Sequence, residues 1–232
     1  MKLGGLRKNS LIDYPSHVSC VIFLAGCNFH CPYCHNPDLV GANPSKSCLY
    51  DEEAVFRFLD QRKGLLDSVV LSGGEPTLQK GLIAFCRRIK KAGYLVKLDT
   101  NGSRPHVIKR LIEEELIDFV AMDIKADPDR YPPELTDAFD RSRLFASIRI
   151  LMDSAPDYEF RTTCAKSFVT PQSMEKIAKT IKGAKLFTLQ QVQIGRTLNP
   201  SLFEGITATY TDDELFHLKV IAEQWVKKCL IR

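Results

Sequence analysis

The sequence predicts an α/β fold, most simply a barrel or partial barrel of parallel strands. Three observations carry that expectation. Apolar, β-branched runs alternate with stretches of helical period almost from end to end. The runs are apolar on both faces, as a strand buried between two layers must be. No composition break, linker, low-complexity segment or short-period repeat interrupts the 232 residues, so a single domain is expected over 1–232. Six strand–helix pairs can be read, whereas a closed barrel of this kind has eight.

In chain order, strands are expected over 18–26, 69–73, 94–99, 119–125, 158–163 and 186–190. After the second strand, Leu78, Leu82, Phe85, Cys86 and Ile89 recur at three- and four-residue steps and form one apolar helical face. Lys90 and Lys91 suit the negative end of that helix, and Gly93 stops it. Asp127, Pro128, Pro132 and Pro133 mark a loop, with a helix expected before residue 155. Thr170 followed by Pro171 is a cap and first helical residue. Thr211 with Glu214 is a capping box. Leu215, Leu218, Ala222, Trp225 and Cys229 then extend an amphipathic C-terminal helix over about 211–230.

Composition narrows the function classes. At 44% hydrophobic and 26% charged the chain is ordinary for a packed core, which excludes disorder. The longest apolar run, 18–26, is far short of the roughly 20 residues that span a bilayer. A formal charge of +4 with no basic run gives no footprint for nucleic acid. No export signal opens the sequence, so a cytoplasmic protein is expected. Eight cysteines are too few for a disulfide scaffold, and clustered thiols in such a chain read as metal-binding or catalytic.

The cluster follows the first strand, as Cys27, Cys31 and Cys34 in a C-x3-C-x2-C spacing. One short loop (27–34) can aim three thiolates at a single centre, one fewer than the four that normally hold a cubane iron–sulfur cluster. By the logic of catalytic zinc sites, the missing ligand leaves a coordination position for substrate or cofactor. The alternative is structural zinc with His30, His35 or Cys48 as fourth ligand. Such sites usually pair two short motifs, and no second pair is present. Cys20, Cys86, Cys164 and Cys229 read as buried small hydrophobes.

Polar residues collect at the carboxyl ends of successive strands, where ligands bind in parallel α/β folds. Ser72-Gly73-Gly74-Glu75-Pro76 allows close backbone approach, with a carboxylate able to accept from an ammonium. Asp99-Thr100-Asn101-Gly102 is turn chemistry on its own. Asp123 and Lys125 share a face of their strand, and Arg161 interrupts the fifth run with a guanidinium suited to a carboxylate. Each is weak singly, since a turn or an ion pair would explain it. Four at successive strand ends converge on one mouth.

Together these features resemble the radical S-adenosylmethionine (SAM) superfamily, through Cys27-x3-Cys31-x2-Cys34 with Tyr33 before the last cysteine and then Gly73-Gly74-Glu75-Pro76. The stretch from Gly5 to Pro15, with Cys34-His35-Asn36-Pro37, Asp99-Thr100-Asn101-Gly102 and Asp123-x-Lys125, is similar to glycyl-radical-enzyme activating proteins. Within these it is most similar to those of anaerobic ribonucleoside-triphosphate reductase. The resemblance implies a partial (β/α)6 TIM-like barrel of the radical SAM type. It implies one [4Fe–4S] cluster on Cys27, Cys31 and Cys34, whose remaining iron binds SAM. Tyr33 would line the adenine, and Gly73, Gly74 and Glu75 would contact the methionyl ammonium. Asp123 and Lys125 would meet ribose and carboxylate, with Arg161 helping, and the resemblance to pyruvate formate-lyase activators implies a monovalent cation at Asp99 and Thr100. The implied reaction is reductive cleavage of SAM followed by hydrogen abstraction from a glycine of a partner enzyme, with flavodoxin or a ferredoxin as electron donor and no nucleic acid or membrane involved.

Two departures stand out. The sixth strand carries no histidine where those proteins have one, leaving Gln191 or Gln193 as substitutes. Only 16 residues separate Cys34 from Asp51, with one cysteine among them, so no further cluster module is inserted. A radical SAM enzyme acting on a small molecule, as the deazaguanine-forming synthases do, and a non-catalytic zinc-binding interaction protein are the competing readings.

Overall fold

The computed structural model describes residues 1–41, 50–205 and 207–232. The loop thiol Cys48 lies outside the described residues. Eight strands form one sheet in sequence order: β1 (Leu3–Ser10), β2 (Ser19–Leu24), β3 (Ser68–Gly73), β4 (Leu95–Thr100), β5 (Phe119–Asp123), β6 (Tyr158–Cys164), β7 (Phe187–Gln191) and β8 (Cys229–Ile231). Neighbours from β2 to β8 are parallel, and β1 runs antiparallel to β2. The helices are α1 (Glu52–Gln61), α2 (Leu82–Lys91), α3 (Pro105–Glu113), α4 (Arg141–Ser154), α5 (Pro171–Thr180) and α6 (Asp212–Glu223). Each of the six runs expected from the sequence is a strand. Among the described residues no ladder joins β8 back to β1, so the sheet is open along one side.

β1 had no periodic signal because its Gly-Gly start and Arg7-Lys8-Asn9 segment are partly exposed along an edge. The C-terminal element needs a correction. The helix expected over about 211–230 ends at Glu223, and Cys229 starts β8 instead of continuing the helical stripe. The outer edge of β7 supplies the reason, since its backbone groups need partners. Phe187 N–H donates to the Lys228 carbonyl at 2.9 Å, and Arg232 N–H donates to Leu189 at 2.9 Å. Both caps read from the sequence are present, Thr170 and Thr211 each closing a capping box, with Ser173 and Glu214 respectively.

The larger apolar cluster includes Phe85, Phe160, Phe187 and Leu218 and packs the helices onto the sheet. Alternation turns the opposite strand residues the other way. There Tyr14, Val21, Val70, Phe119 and Ala121 form a small apolar floor. Further along the same face β4 carries Lys97 and Asp99, β5 Asp123, and β6 Glu159 and Arg161. Within the described residues no helix is long and apolar enough to cross a membrane.

Phe160 is fully buried whereas the Thr211 cap is exposed. In urea unfolding, Phe160→Ala should therefore cost about 3–5 kcal/mol and Thr211→Ala about 1 kcal/mol.

Candidate active site

The cysteine loop is built where β2 runs out. Gly26, at φ +96°, turns the chain. Its N–H donates to the Leu39 carbonyl at 2.7 Å, and Cys27 N–H to Val40 at 3.2 Å, closing the loop at its base. Inside it, Cys34 N–H donates to the Cys31 carbonyl at 2.9 Å. His30 is held outward, its Nε2 2.8 Å from the Pro133 carbonyl, so it does not complete a zinc site. Cys27, Cys31, Cys34 and Tyr33 all line one cavity of about 350 Å³, a volume within the small-molecule range. Among the described residues no three His, Cys, Asp or Glu side chains converge tightly enough for a single ion. A cubane accounts for that spread, because each thiolate binds its own iron. Burial pushes the Cys27 thiol up to about 12, with Glu75 adding to the effect, and burial also raises Cys31 against the pull of Lys125. Thiolates persist there only beside a strongly positive centre.

The Gly-Gly-Glu loop after β3 is zipped onto this base. Gly74 N–H donates to the Leu24 carbonyl at 2.7 Å and Glu75 N–H to Gly26 at 2.8 Å. A Cβ on Gly74 would collide with the Gly26 carbonyl, and Gly73 sits at φ +112° against the Leu24 backbone. Both glycines are thus fixed by the approach of two loops. Glu75 is fully buried, and its carboxylate is already committed. Oε1 accepts from Thr77 N–H at 3.0 Å, Thr77 Oγ1 at 2.5 Å and Thr100 Oγ1 at 2.8 Å, while Oε2 accepts from Asn101 N–H at 2.7 Å. Burial raises its pKa and these donors oppose the rise. Glu75 staples the β3 loop to the end of β4, a role the sequence did not reveal.

The remaining site residues join in one charged chain. Arg161 Nε donates to Asp123 Oδ1 at 2.8 Å, and its NH1 lies 3.4 Å from Asp99 Oδ1. Lys125 Nζ lies 3.3 Å from Asp123 Oδ2. Burial works against the Lys125 cation, but Asp123 holds its pKa well above the ordinary range. Burial likewise disfavours the Asp123 charge, and Arg161 and Lys125 override it, so its carboxyl titrates low. Lys97 and Glu159 also belong to this network, with Lys97 Nζ 3.4 Å from Asp99 and 3.9 Å from Glu159. The signal that singled out Arg161, a charge interrupting an apolar run, marks both. On β7 the cavity residue is Gln190. Gln191 turns away to the Tyr210 backbone, and Gln193 is exposed beyond the strand, so neither expected substitute faces the site.

Tyr33 lines the cavity, and its hydroxyl is buried without a hydrogen-bond partner among the described residues. A buried hydroxyl left unpaired is costly, so a polar group of a bound molecule is its natural partner. Three open thiols, a backbone cradle that only glycines permit, this hydroxyl and paired cations fit a cluster with an amino-acid-bearing nucleoside cofactor.

Comparison with known proteins agrees. Residues 21–188 match the family model described as the radical SAM superfamily. A Methanocaldococcus jannaschii protein named as a candidate glycyl-radical enzyme activating enzyme is 35% identical, over 99% of this chain and 95% of its own. A 7-carboxy-7-deazaguanine synthase of Thermococcus kodakarensis is 28% identical over 72% of this chain and 71% of its own. In fold, the chain is similar to QueE from Escherichia coli, with TM-score 0.58 and 14% identity, covering 100% of this chain and 93% of that one.

Gly74→Ala should lower stability by roughly 1–3 kcal/mol in urea unfolding, because backbone and not a flexible side chain blocks the added methyl. The lowered pKa of Asp123 gives stability that is present above the unfolded value of about 3.9 and is lost as pH falls through the folded one. Asp123→Asn should therefore flatten the acid limb of stability below about pH 4, as measured by urea unfolding across pH.

Proposed function

We infer that this chain, which belongs to the radical SAM superfamily, generates a glycyl radical on a partner enzyme, most specifically an anaerobic ribonucleoside-triphosphate reductase. Radical SAM enzymes are oxidoreductases that use a [4Fe–4S] cluster and SAM. When bound, these supply a one-electron cleavage of the cofactor that ends in removal of a hydrogen atom from the substrate.

The chain's own residues do the holding and shielding. Cys27, Cys31 and Cys34 would each bind one iron and leave the fourth open. Tyr33 would meet the adenine, its unpaired hydroxyl free to bond a polar atom. Because the Glu75 carboxylate is engaged by four donors, the methionyl ammonium is assigned to backbone carbonyls of the 73–75 loop. Lys125 and Arg161 would offer cations to the carboxylate, and Asp123, held ionised between them, would meet the ribose hydroxyls. The apolar floor beneath keeps water from a reactive centre.

The observation that carries the protein-substrate reading is the open side of the sheet. Arg7 on the edge strand β1 and Asp13 just beyond it line the same cavity as the three cysteines. A peptide loop can therefore approach from the side without unfolding the barrel. The near full-length match to the activating-enzyme relative supports it. A flavodoxin or ferredoxin-type donor in the cytoplasm completes the proposal.

The test is anaerobic reconstitution with iron and sulfide, then addition of SAM, reductant and a candidate glycyl-radical enzyme. We expect a SAM-sensitive cluster spectrum, methionine release abolished in Cys31→Ala, and a glycyl radical signal on the partner. Uptake of zinc alone would overturn the reading at the metal. Turnover that requires a small heterocyclic substrate and leaves every protein glycine intact would replace it with the deazaguanine-synthase reading.

A further inference from the structure

We propose that the Lys97 ammonium is a built-in counter-cation for Asp99, so that the cavity takes a carboxylate-bearing cofactor without an alkali metal ion. The resemblance points to Asp99 and Thr100 as holders of a monovalent cation, and the residues present do not fit one. Asp99 Oδ1 already faces two cations, Lys97 Nζ at 3.4 Å and Arg161 NH1 at 3.4 Å. A third positive charge on that oxygen would be repelled by both. The Thr100 hydroxyl is engaged as well, donating to Glu75 Oε1 at 2.8 Å and accepting from Gly102 N–H at 3.1 Å.

Lys97 is held where it stands. Its side chain is 3% exposed. Nζ donates to the Asp13 carbonyl and lies within ion-pair distance of Asp99 and Glu159, so three oxygen-bearing groups surround the ammonium. The Phe119 ring lies 5.6 Å from Nζ and supplies a further weak attraction. A compact point charge so fixed can do what a bound alkali ion does.

Charge balance favours the same conclusion. Asp99, Asp123 and Glu159 face Lys97, Lys125, Arg161 and Arg232, with Arg232 NH1 3.1 Å from Glu159 Oε2. With Glu75 on the same cavity wall, four cations stand against four carboxylates, so no alkali ion is needed to balance the site.

The inference does not depend on the glycyl-radical reading and would hold for a small-molecule substrate. Its test begins on the unloaded chain, titrated with sodium chloride against tetramethylammonium chloride at constant ionic strength and followed by sodium NMR line width. The wild type should show no saturable broadening. Lys97→Met should show broadening that Asp99→Asn in the same background removes, and Lys97→Arg should show none. In the reconstituted holoenzyme, wild-type SAM affinity should stay within about twofold on exchange of potassium for tetramethylammonium. That of Lys97→Met should fall about tenfold and recover with added potassium. Saturable sodium binding by the wild type that Asp99→Asn abolishes would overturn the proposal, as would wild-type SAM binding that needs an alkali ion. So would a Lys97→Met protein, folded by circular dichroism, with neither change. If Lys97→Met does not fold, the wild-type and Asp99→Asn titrations decide.

Discussion

The contact between Gly74 and the Gly26 carbonyl sets the rest of the site. Two loops leave adjacent parallel strands and are drawn together until no side chain fits between them. Paired backbone hydrogen bonds hold the approach, from Gly74 to Leu24 and from Glu75 to Gly26. The base of the cysteine loop and the start of the Gly-Gly-Glu loop therefore move as one body. Glu75 then extends the clamp sideways to Thr100 and Asn101 at the end of β4. A third loop is thereby tied to the first two without any metal. A ligand that needs its amino and carboxylate groups placed within tenths of an ångström of an iron site profits from that rigidity.

The inner face shows how a barrel tolerates many buried charges. An isolated ion there would be strongly disfavoured, so each is compensated in place. Asp123 is flanked by Arg161 and Lys125, and Glu159 by Thr188 Oγ1 at 2.9 Å together with Arg232. The pairs link across four strands, so the network spans the barrel from the floor to the cysteine loop. Its value to the fold is small or negative compared with apolar packing of equal volume. Its persistence across so many strand positions is explained by function, since a cofactor carrying both signs of charge meets partners already oriented and already desolvated.

Strands β2 to β7, the caps and the cysteine loop were legible because each is written in contiguous residues. Spacing alone fixes how far apart Cys27, Cys31 and Cys34 can stand, and alternation alone places Asp123 and Lys125 on one face. What could not be read depends on partners distant in sequence. Glu75 looked available to a ligand until Thr100 and Asn101, some twenty-five residues on, proved to occupy it. The end of α6 looked like more helix because Trp225 and Cys229 continue an apolar period, and only the unpaired edge of β7 recruits Cys229–Ile231 as a strand. Gln190 and Gln191 differ by one residue, and a one-residue difference in a strand reverses the face.

An open side creates a hazard that the two edge strands resolve differently. A sheet with free edges invites pairing with other chains. β1 carries exposed Arg7 and Lys8, and its register with β2 shifts twice, which breaks the flat ladder a foreign strand would need. β8 is only three residues long. Arg232, just after it, turns inward to Glu159 and so adds to the charge network. The gap between these edges can then stay accessible without becoming adhesive. A substrate loop entering there would have to be recognised by the side chains that line the cavity, since β8 is too short to join and β1 is interrupted by register shifts.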